Sequence, residues 1–345
     1  MPSFKMLSPD IAIDLGSSNI RIYVKGRGIV VNEPSAIVVR GERKKETVAV
    51  GDGTDEFLGR LGSEFHLIRP VVNGVINDYR SAEVLVSYLV NKAIGQSRMF
   101  RPRMVVGIPS GATSVDIRSI RNTMESCGAK YIYGVKQTIA AAVGMGLSIH
   151  EPAGTFVVDI GAGLTEMALI SIGGIVCENT ISIAGNQIDA AITGYLKKAH
   201  GLVVSERTAE QIKFDLTDIR PEKNNSRIIV LRGRDSATNM PITMDVRTEE
   251  ICEAIEAPVN EIIRAIKDAL SKTPPELCRD VLTKGIYLAG GSNGLPGLDE
   301  LITAQLGIKT NVAWEAGECS IIGAATLADG IDKPENQSVM TLMKE

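Results

Sequence analysis

The sequence predicts an α/β fold built from two homologous domains. Two similar segments carry this prediction, Asp14–Asn19 (DLGSSN) and Asp159–Thr165 (DIGAGLT). Each lies between two apolar runs that are typical of buried strands, so each is expected to form a strand–turn–strand hairpin. The order of strands and helices after the first segment recurs after the second, which indicates two α/β units of similar design.

In the first half of the chain, strands alternate with helices. Hydrophobic patterning predicts strands at residues 10–15, 19–25, 28–32, 35–40, 46–50 and 103–109, and helices at about 81–95, 114–126 and 137–147. The apolar faces of the first two helices are expected to be formed by Val84, Leu85, Tyr88 and Leu89 and by Ile117, Ile120 and Met124. Gly128 is expected to end the second of these helices.

The second half repeats this alternation. Strands are predicted at about 155–158, 167–170, 174–184, 227–232, 241–246, 285–289 and 309–313, and helices at about 186–199, 205–214, 248–271, 297–306 and 318–329. Ser205 is the expected cap of the helix at 205–214, and Pro258 is expected to kink the longest helix. Residues 331–345 are polar and are expected to be frayed.

The turn of each hairpin is rich in small and polar residues, and its backbone N–H groups can converge on a phosphate. The candidate phosphate ligands are Gly16, Ser17, Ser18 and Asn19 in the first turn and Gly161, Ala162 and Gly163, supported by Thr165, in the second. Asp14 and Asp159 cannot bind phosphate directly, but each can hold a hydrated Mg²⁺. Two such hairpins facing each other would hold the phosphates of a nucleotide from both sides.

A third glycine-rich turn follows the apolar run Ile286–Ala289. It consists of Gly290, Gly291, Ser292 and Asn293. A glycine pair lets a flat ring or a ribose approach the backbone closely. Three such turns at strand ends, two of them led by Asp-x-Gly, favour a nucleotide site over three ordinary hairpins.

These turns resemble those of the actin-like ATPase superfamily and, within it, the bacterial actin family of MreB and the MreB-like protein Mbl. Further matching segments are Tyr23–Gly26, Gly28–Ser35, Ile68–Pro70, Gly74–Ile76, Gly107–Thr113, Ala140–Leu147 and Pro274–Leu277. The resemblance covers roughly residues 10–330. Together, the matching segments are specific to MreB-like proteins rather than to the superfamily at large.

The resemblance implies an actin-like fold with two domains around a nucleotide cleft. Domain I would comprise residues 1–145 and about 317–345, with a small subdomain at about 33–75, and domain II would comprise residues 146–316, with a small subdomain at about 187–246. It also implies ATP or ADP with Mg²⁺ as ligands and homopolymer filaments. Such filaments would lie at the inner face of the cytoplasmic membrane, where they organise cell shape and wall synthesis together with membrane proteins.

The resemblance also implies which residues contact the nucleoside and which residue orients the hydrolytic water. Glu210 and Lys213 are three residues apart and share a face of a predicted helix. In the family, a carboxylate at this place contacts the ribose and a lysine stem lies beside the adenine. MreB proteins usually carry Glu-Glu-Pro before the Ala-rich helix, whereas this chain has Lys136, Gln137 and Thr138. Gln137 is the expected water-orienting residue. Since glutamine is a poor base, hydrolysis is expected to be slow. Lys136 would add a positive charge near the γ-phosphate.

The segment Arg98–Arg103 indicates a membrane contact. Met99 and Phe100 are bulky apolar residues framed by Arg98, Arg101 and Arg103 in a predicted loop. If this loop is exposed, the apolar pair would insert while the arginines meet anionic head groups. The alternative is that both side chains fold into the core. Because the family has an apolar loop here, the resemblance favours the membrane contact.

Composition excludes several other classes. The net charge of −4 gives no reason to expect nucleic-acid binding, and five scattered cysteines argue for a reducing cytoplasm rather than disulfides or a zinc site. The three histidines are isolated, so a His-based catalytic centre is not expected. No apolar run reaches the roughly 18 residues of a membrane-spanning helix, and no secretory signal is recognisable at the start.

Three other interpretations remain open. A nucleotide-bound scaffold that hydrolyses little would fit the altered Glu-Glu-Pro segment. A small-molecule kinase of the same fold would need a polar substrate pocket and a dedicated base, which the sequence does not indicate. An Hsp70-like chaperone would need a further domain after the ATPase region. A general role in cell shape and a specialised one are equally compatible with the sequence.

Overall fold

The structure is a computed structural model that describes residues 9–41, 46–57, 62, 64–95, 101–220 and 227–344. It divides into two compact units. Unit 1 consists of Met1–Pro152, Ile170–Val176 and Glu318–Glu345, and unit 2 consists of Ala153–Leu169 and Cys177–Gly317. Both units contain strands and helices.

Unit 1 contains the first ten strands and the last one, numbered along the chain. These are β1 (Ile11–Leu15), β2 (Asn19–Val24), β3 (Gly28–Pro34), β4 (Ile37–Arg40), β5 (Glu46–Val50), β6 (Phe65–Ile68), β7 (Val71–Val72), β8 (Val75–Ile76), β9 (Arg103–Ile108), β10 (Tyr131–Lys136) and β19 (Met340–Leu342). Its helices are α1 (Tyr79–Ile94), α2 (Ser114–Ser126), α3 (Gln137–Gly144), α9 (Cys319–Asp329) and α10 (Pro334–Val339). A 3₁₀ turn spans Gly51–Phe57.

A six-stranded sheet organises unit 1. Its strand order is β19-β10-β9-β1-β2-β3, and β1 pairs antiparallel with β2 and parallel with β9. Strand alternation places the isoleucines of β1 and β2 in a core that also contains α1 and α2. Residues of this core include Ile11, Ile13, Leu15, Ile20, Ile22, Val24, Leu85, Leu89, Ile120 and Met124. The sheet thus presents Asp14, at the end of β1, from a rigid central strand.

Helix α9 packs on β1, β2 and β9, and α3 packs on α9. The two helices are rich in Ala and touch through glycines. A Cβ on Gly144 would overlap the Cys319 carbonyl, and a Cβ on Gly323 would overlap the Ala140 carbonyl. The helix backbones are therefore in direct contact, which fixes the start of α3 relative to the sheet.

Unit 2 contains the remaining elements, except that the end of β12 and the start of β13 fall within Ile170–Val176 of unit 1. Its strands are β11 (Thr155–Ile160), β12 (Thr165–Ser171), β13 (Gly174–Ile181), β14 (Leu202–Val203), β15 (Ile228–Asp235), β16 (Pro241–Arg247), β17 (Ile286–Ala289) and β18 (Thr310–Val312). Its helices are α4 (Gly185–His200), α5 (Glu206–Gln211), α6 (Thr248–Leu270), α7 (Pro275–Lys284) and α8 (Leu298–Leu306). A π-type turn, Ile212–Leu216, follows α5.

A five-stranded sheet of order β13-β12-β11-β17-β18 organises unit 2, and β14, β15 and β16 form a separate small sheet. Strand β11, which ends beside the second turn, is buried along its whole length. Helix α6 supplies much of the core because its apolar residues recur at helical spacing. Its buried side chains include Ile251, Ile255, Val259, Ile262, Ile263 and Ile266. The helix runs without interruption through Pro258.

Most predicted elements are confirmed, with ends that shift by a few residues. The caps at Ser205 and Gly128 are also confirmed: the Ser205 hydroxyl accepts from the Thr208 N–H at 3.1 Å, and Gly128 follows α2 with a φ of 92°. Helix α3 is shorter than predicted and ends at Gly144. The elements that were not predicted are β6 to β8, β10, β14, β19, α7 and α10. Most of the strands are short, and a short strand becomes stable only when it pairs with a neighbour.

Two predicted helix faces need correction. In α1, Val84 and Tyr88 are 41% and 46% exposed, because the buried stripe is displaced by one position and uses Val86 and Val90 beside Leu85 and Leu89. In α2, Ile117 is 37% exposed, whereas Ile120 and Met124 are buried as predicted.

The prediction of a frayed C-terminal segment was wrong. Residues 334–339 form α10, and β19 pairs antiparallel with β10. Beyond β19, the Met343 N–H donates to the Ile132 carbonyl at 2.9 Å, and the Arg121 guanidinium donates to the Lys344 carbonyl at 2.7 Å. A polar segment is thus ordered by backbone hydrogen bonds to an open sheet edge, which hydrophobic patterning does not detect.

Replacing Gly323 by Ala should strongly destabilise unit 1. The new Cβ would press on the Ala140 backbone, which cannot yield as a flexible side chain would, so we expect a loss of about 3 kcal/mol, at the upper end of overpacking effects. Denaturant unfolding measures the change. Gly194→Ala is the matched control, because nothing lies within 4 Å of a Cβ on Gly194 in α4. The control should be neutral or stabilising. Equal stability of the Gly323 variant and the wild type would contradict the close packing.

Candidate functional site

The first candidate loop is the turn between β1 and β2. Asp14 is buried at the end of β1, and a Cβ on Gly16 would overlap the carbonyl of Asn19. The turn is therefore closed tightly across Gly16, the third residue of the predicted segment. No other residue type fits this position without opening the turn.

Side chains around the loop hold its shape. The Ser17 hydroxyl accepts from the Gly74 N–H at 3.0 Å, and the Asn19 amide donates to Asn32 Oδ1 at 2.9 Å. The Ser18 hydroxyl donates to Asn19 Oδ1 at 3.1 Å. These contacts hold the shape of the turn, and the Ser17 hydroxyl, which accepts from Gly74, retains its own O–H donor.

Asp14 is the centre of a small polar cluster. Gln137, the first residue of α3, donates from Nε2 to Asp14 Oδ1 at 3.0 Å. Arg21 Nη1 lies 3.4 Å from Asp14 Oδ2. The Gln137 side chain passes over Gly107, because a Cβ there would overlap Gln137 Oε1. The structure thus brings together the predicted carboxylate Asp14 and the predicted water-orienting residue Gln137.

The Lys136 side chain contacts the segment that follows β9. Its ammonium group donates to the Ser110 carbonyl at 2.8 Å, in the segment between β9 and α2. Lys136 thereby contacts a neighbouring loop, and its expected place near the γ-phosphate stays a prediction. Arg21 is a cation beside Asp14.

The second candidate loop, between β11 and β12, closes in the same manner. The Gly161 N–H donates to the Leu164 carbonyl at 2.8 Å, and a Cβ on Gly161 would lie 3.2 Å from that oxygen. The two loops are alike in this respect: Gly16 faces the Asn19 carbonyl, and Gly161 faces the Leu164 carbonyl. The Thr165 hydroxyl donates to the Ile183 carbonyl at 2.6 Å, which joins the end of this turn to the segment before α4.

The start of α4 is bonded to the second loop. The Gly185 N–H donates to the Gly161 carbonyl at 3.1 Å, and the Asn186 N–H donates to the Ala162 carbonyl at 2.7 Å. In both bonds the loop provides a carbonyl oxygen as the acceptor. They fix its position through the first turn of a helix that is anchored in the core of unit 2.

The third glycine turn lies against the second loop. Gly290 has a φ of 92°, and a Cβ there would overlap the Asp159 carboxylate and the Ile160 carbonyl. Ser292 Oγ donates to the Gly161 carbonyl at 2.6 Å. Asn293 donates to the carbonyls of Ala289 and Gly290, whereas nothing lies within 4 Å of a Cβ on Gly291. Two of the predicted turns therefore form one cluster within unit 2.

Lys213 also belongs to this cluster. It is 2% exposed, and its ammonium group lies 2.9 Å from Asp189 Oδ1, 3.5 Å from the Gly185 carbonyl and 4.5 Å from the centre of the Phe214 ring. Burial raises the pKa of Asp189, and Lys213 partly offsets this increase. Lys213 lies in the π-type turn after α5, whereas Glu210 is exposed near the end of α5. The two residues thus differ in environment, although a regular helix was predicted for both.

Sequence reasoning missed two members of these clusters, Arg21 and Asp189. Arg21 is opposite Asp14 in the β1–β2 register, and Asp189 lies one helical turn after Gly185. Correct hairpin register and helix spacing would have identified both.

The predicted membrane segment lies mostly outside the described residues. Arg98, Met99 and Phe100 belong to the part of the chain that is not described. Arg101 is exposed, and its guanidinium donates to the carbonyls of Gly128 at 3.2 Å and Ala129 at 2.7 Å. Among the helices of the described ranges, none combines the length and apolar character needed to cross a bilayer.

Comparison with solved structures identifies the class of protein. MreB 5 of Spiroplasma citri bound to AMPPNP matches with a TM-score of 0.88 at 28% identity, over 95% of this chain and 98% of that chain. The chain of a MamK double helical filament matches with a TM-score of 0.77 at 21% identity, over 93% and 99% of the two chains. The predicted actin-like fold is therefore confirmed.

Comparison with known sequences identifies the family. The family model described as MreB/Mbl protein matches residues 8–336. Cell shape-determining protein Mbl of Bacillus subtilis (strain 168) is 37% identical over 328 residues, 95% of this chain and 98% of the relative. Cell shape-determining protein MreB of Escherichia coli (strain K12) is 38% identical over 331 residues, 95% of each chain. The chain belongs to the MreB/Mbl family of bacterial actin-like proteins, which confirms the predicted cytoskeletal class.

Proposed function

We propose that the chain is a nucleotide-binding bacterial actin homologue that forms filaments at the cytoplasmic membrane, organises cell shape and wall synthesis, and hydrolyses ATP slowly. The observation that carries the proposal is the similar closure of the two Asp-x-Gly loops, in each of which the glycine faces the carbonyl three residues later. Membership of the MreB/Mbl family supports it, as do the structures of Spiroplasma citri MreB 5 bound to AMPPNP and to ADP.

In this proposal the two loops bind the phosphates of ATP or ADP through backbone N–H groups. Asp14 and Asp159 each end a buried strand beside a loop, and within the described ranges no group of three acidic, His or Cys side chains is arranged as a metal site. Single carboxylates suit Mg²⁺, because this ion retains several of its waters. When bound, Mg²⁺ would neutralise phosphate charge. Lys213, Glu210 and the third turn, Gly290–Asn293, would contact the nucleoside.

Gln137 is the proposed water-orienting residue. Its amide nitrogen donates to Asp14, which leaves the carbonyl oxygen of the same group as an acceptor for a water molecule. Glutamine orients water without removing a proton effectively, and slow hydrolysis follows. A scaffold with little hydrolysis is the second candidate, favoured by Lys136, Gln137 and Thr138 in place of the family's Glu-Glu-Pro.

Replacing Gln137 by Ala tests the hydrolytic role. Phosphate release should fall at least about tenfold because the water loses its acceptor, whereas ATP affinity should change less than about twofold. Gln305→Ala is the matched control, since Gln305 is exposed on α8 and donates to Asn260 at 3.3 Å. Single-turnover phosphate release and sedimentation in ATP, ADP and a non-hydrolysable analogue provide the readouts.

Each outcome has a definite meaning. ATP-dependent pelleting with slow, Gln137-dependent release supports the actin-like ATPase. Pelleting without release would favour the scaffold. Measurable release that is unchanged in Gln137→Ala would contradict the role of Gln137, and a chain that remains soluble with every nucleotide would contradict filament formation.

Met99 and Phe100 are the proposed membrane contact, and anionic lipid of the inner leaflet is the proposed partner. The double replacement Met99→Ser/Phe100→Ser should abolish cosedimentation with anionic liposomes. A filament would bind through many copies of one weak anchor, and the replacement removes that anchor from every copy. Val230→Ser/Met240→Ser is the control, since these side chains are 62% and 63% exposed in unit 2. Retained binding by the Met99/Phe100 variant would reject this anchor.

A further inference from the structure

Arg21 occupies a position that the proposed ATP hydrolysis does not use. It is opposite Asp14 in the antiparallel register of β1 and β2, and the turn Gly16–Asn19 closes at the same end of the hairpin. Opposed residues of a hairpin point to the same face, so the guanidinium and the carboxylate are neighbours. Their side chains are 20% and 9% exposed, which places this charge pair largely out of water.

The hydrogen bonds of Arg21 are incomplete in the described structure. Its Nη1 lies 3.4 Å from Asp14 Oδ2, and its Nε is buried without a hydrogen-bond partner. A guanidinium has five N–H donors, and buried donors are normally satisfied. Because the side chain is 20% exposed, further acceptors can be met by the Nη groups, which have more donors than the one long contact uses.

Asp14 alone cannot satisfy the guanidinium. One of its carboxylate oxygens already accepts from Gln137 at 3.0 Å, and the other is at the long limit of a hydrogen bond to Arg21. An oxyanion that enters beside the Gly16–Asn19 turn would bring new acceptor oxygens. Phosphate matches the fork of arginine donors especially well.

We propose that Arg21 is a phosphate-binding residue of the first loop and that it reduces the dependence of nucleotide binding on Mg²⁺. A carboxylate repels a neighbouring polyphosphate, and bound Mg²⁺ normally offsets this repulsion. Here Arg21 places a permanent positive charge next to Asp14, so part of that repulsion is cancelled before any metal binds. The inference rests on the proposed nucleotide binding and adds a residue with a specific consequence.

Nucleotide affinity with and without Mg²⁺ tests the inference in the full-length chain. The ligands are ATP, ADP and adenosine, each measured with excess Mg²⁺ and with EDTA. Arg21→Leu should weaken ATP and ADP binding about 30-fold in EDTA, because one charge-assisted contact to phosphate is lost. With Mg²⁺ the loss should be about threefold, because the metal compensates for part of the missing charge. Adenosine affinity should be unchanged. Arg21→Lys should restore at least a third of the wild-type affinity for ATP in EDTA.

Lys25→Leu is the matched control. Lys25 is 3.5 Å from Asp10 at the opposite end of the same hairpin, so its loss removes an equal charge away from the turn. Its nucleotide affinities should equal those of the wild type, with and without Mg²⁺. Thermal unfolding establishes that each variant is folded, and Arg21→Gln replaces Arg21→Leu if the latter does not fold.

The results separate this inference from the proposed function. If the wild type binds no nucleotide even with Mg²⁺, the proposed function fails. If the wild type binds ATP and Arg21→Leu binds it equally well in EDTA, only the inference is overturned. An equal loss of affinity for adenosine and ATP would also overturn it, because the effect would then come from the shape of the site rather than from phosphate contact.

Discussion

Close contact between the backbones of α3 and α9 is the constraint on which the first candidate loop depends. Glycines at positions 144 and 323 allow each helix to rest on a carbonyl of the other, with no side chain between them. Because α9 also packs on the central strands of unit 1, the start of α3 has little freedom. Gln137 therefore meets Asp14 through rigid backbone placement, and Gly107 provides the space for its side chain.

The two loops share a backbone design but differ in their surroundings. In unit 1, Asp14 contacts the side chains of Gln137 and Arg21. In unit 2, Asp159 lies against the backbone at Gly290, and the buried Lys213 lies nearby with its partner Asp189. In the proposed function both loops bind phosphate, and the residues packed around the second loop also contact the nucleoside.

The sequence predicts features that depend on local geometry and misses those that depend on distant pairing. Both Asp-x-Gly turns were recognisable because a tight turn requires glycine at a fixed place. The C-terminal strand β19 was not, since its order comes from β10, which is some two hundred residues earlier. The direction of the Lys136 side chain depends on the carbonyl of Ser110, and the role of Arg21 depends on hairpin register. Patterning does not encode either contact.

Amide hydrogen exchange with and without saturating ATP would test the central claim most directly. If both loops bind phosphate, the amides of residues 16–19 and 161–163 should exchange at least about tenfold more slowly with ATP, while adenosine leaves them unchanged. Exchange rates that stay the same in both loops at saturating ATP would contradict the account, because the shared loop design would then have no part in nucleotide binding.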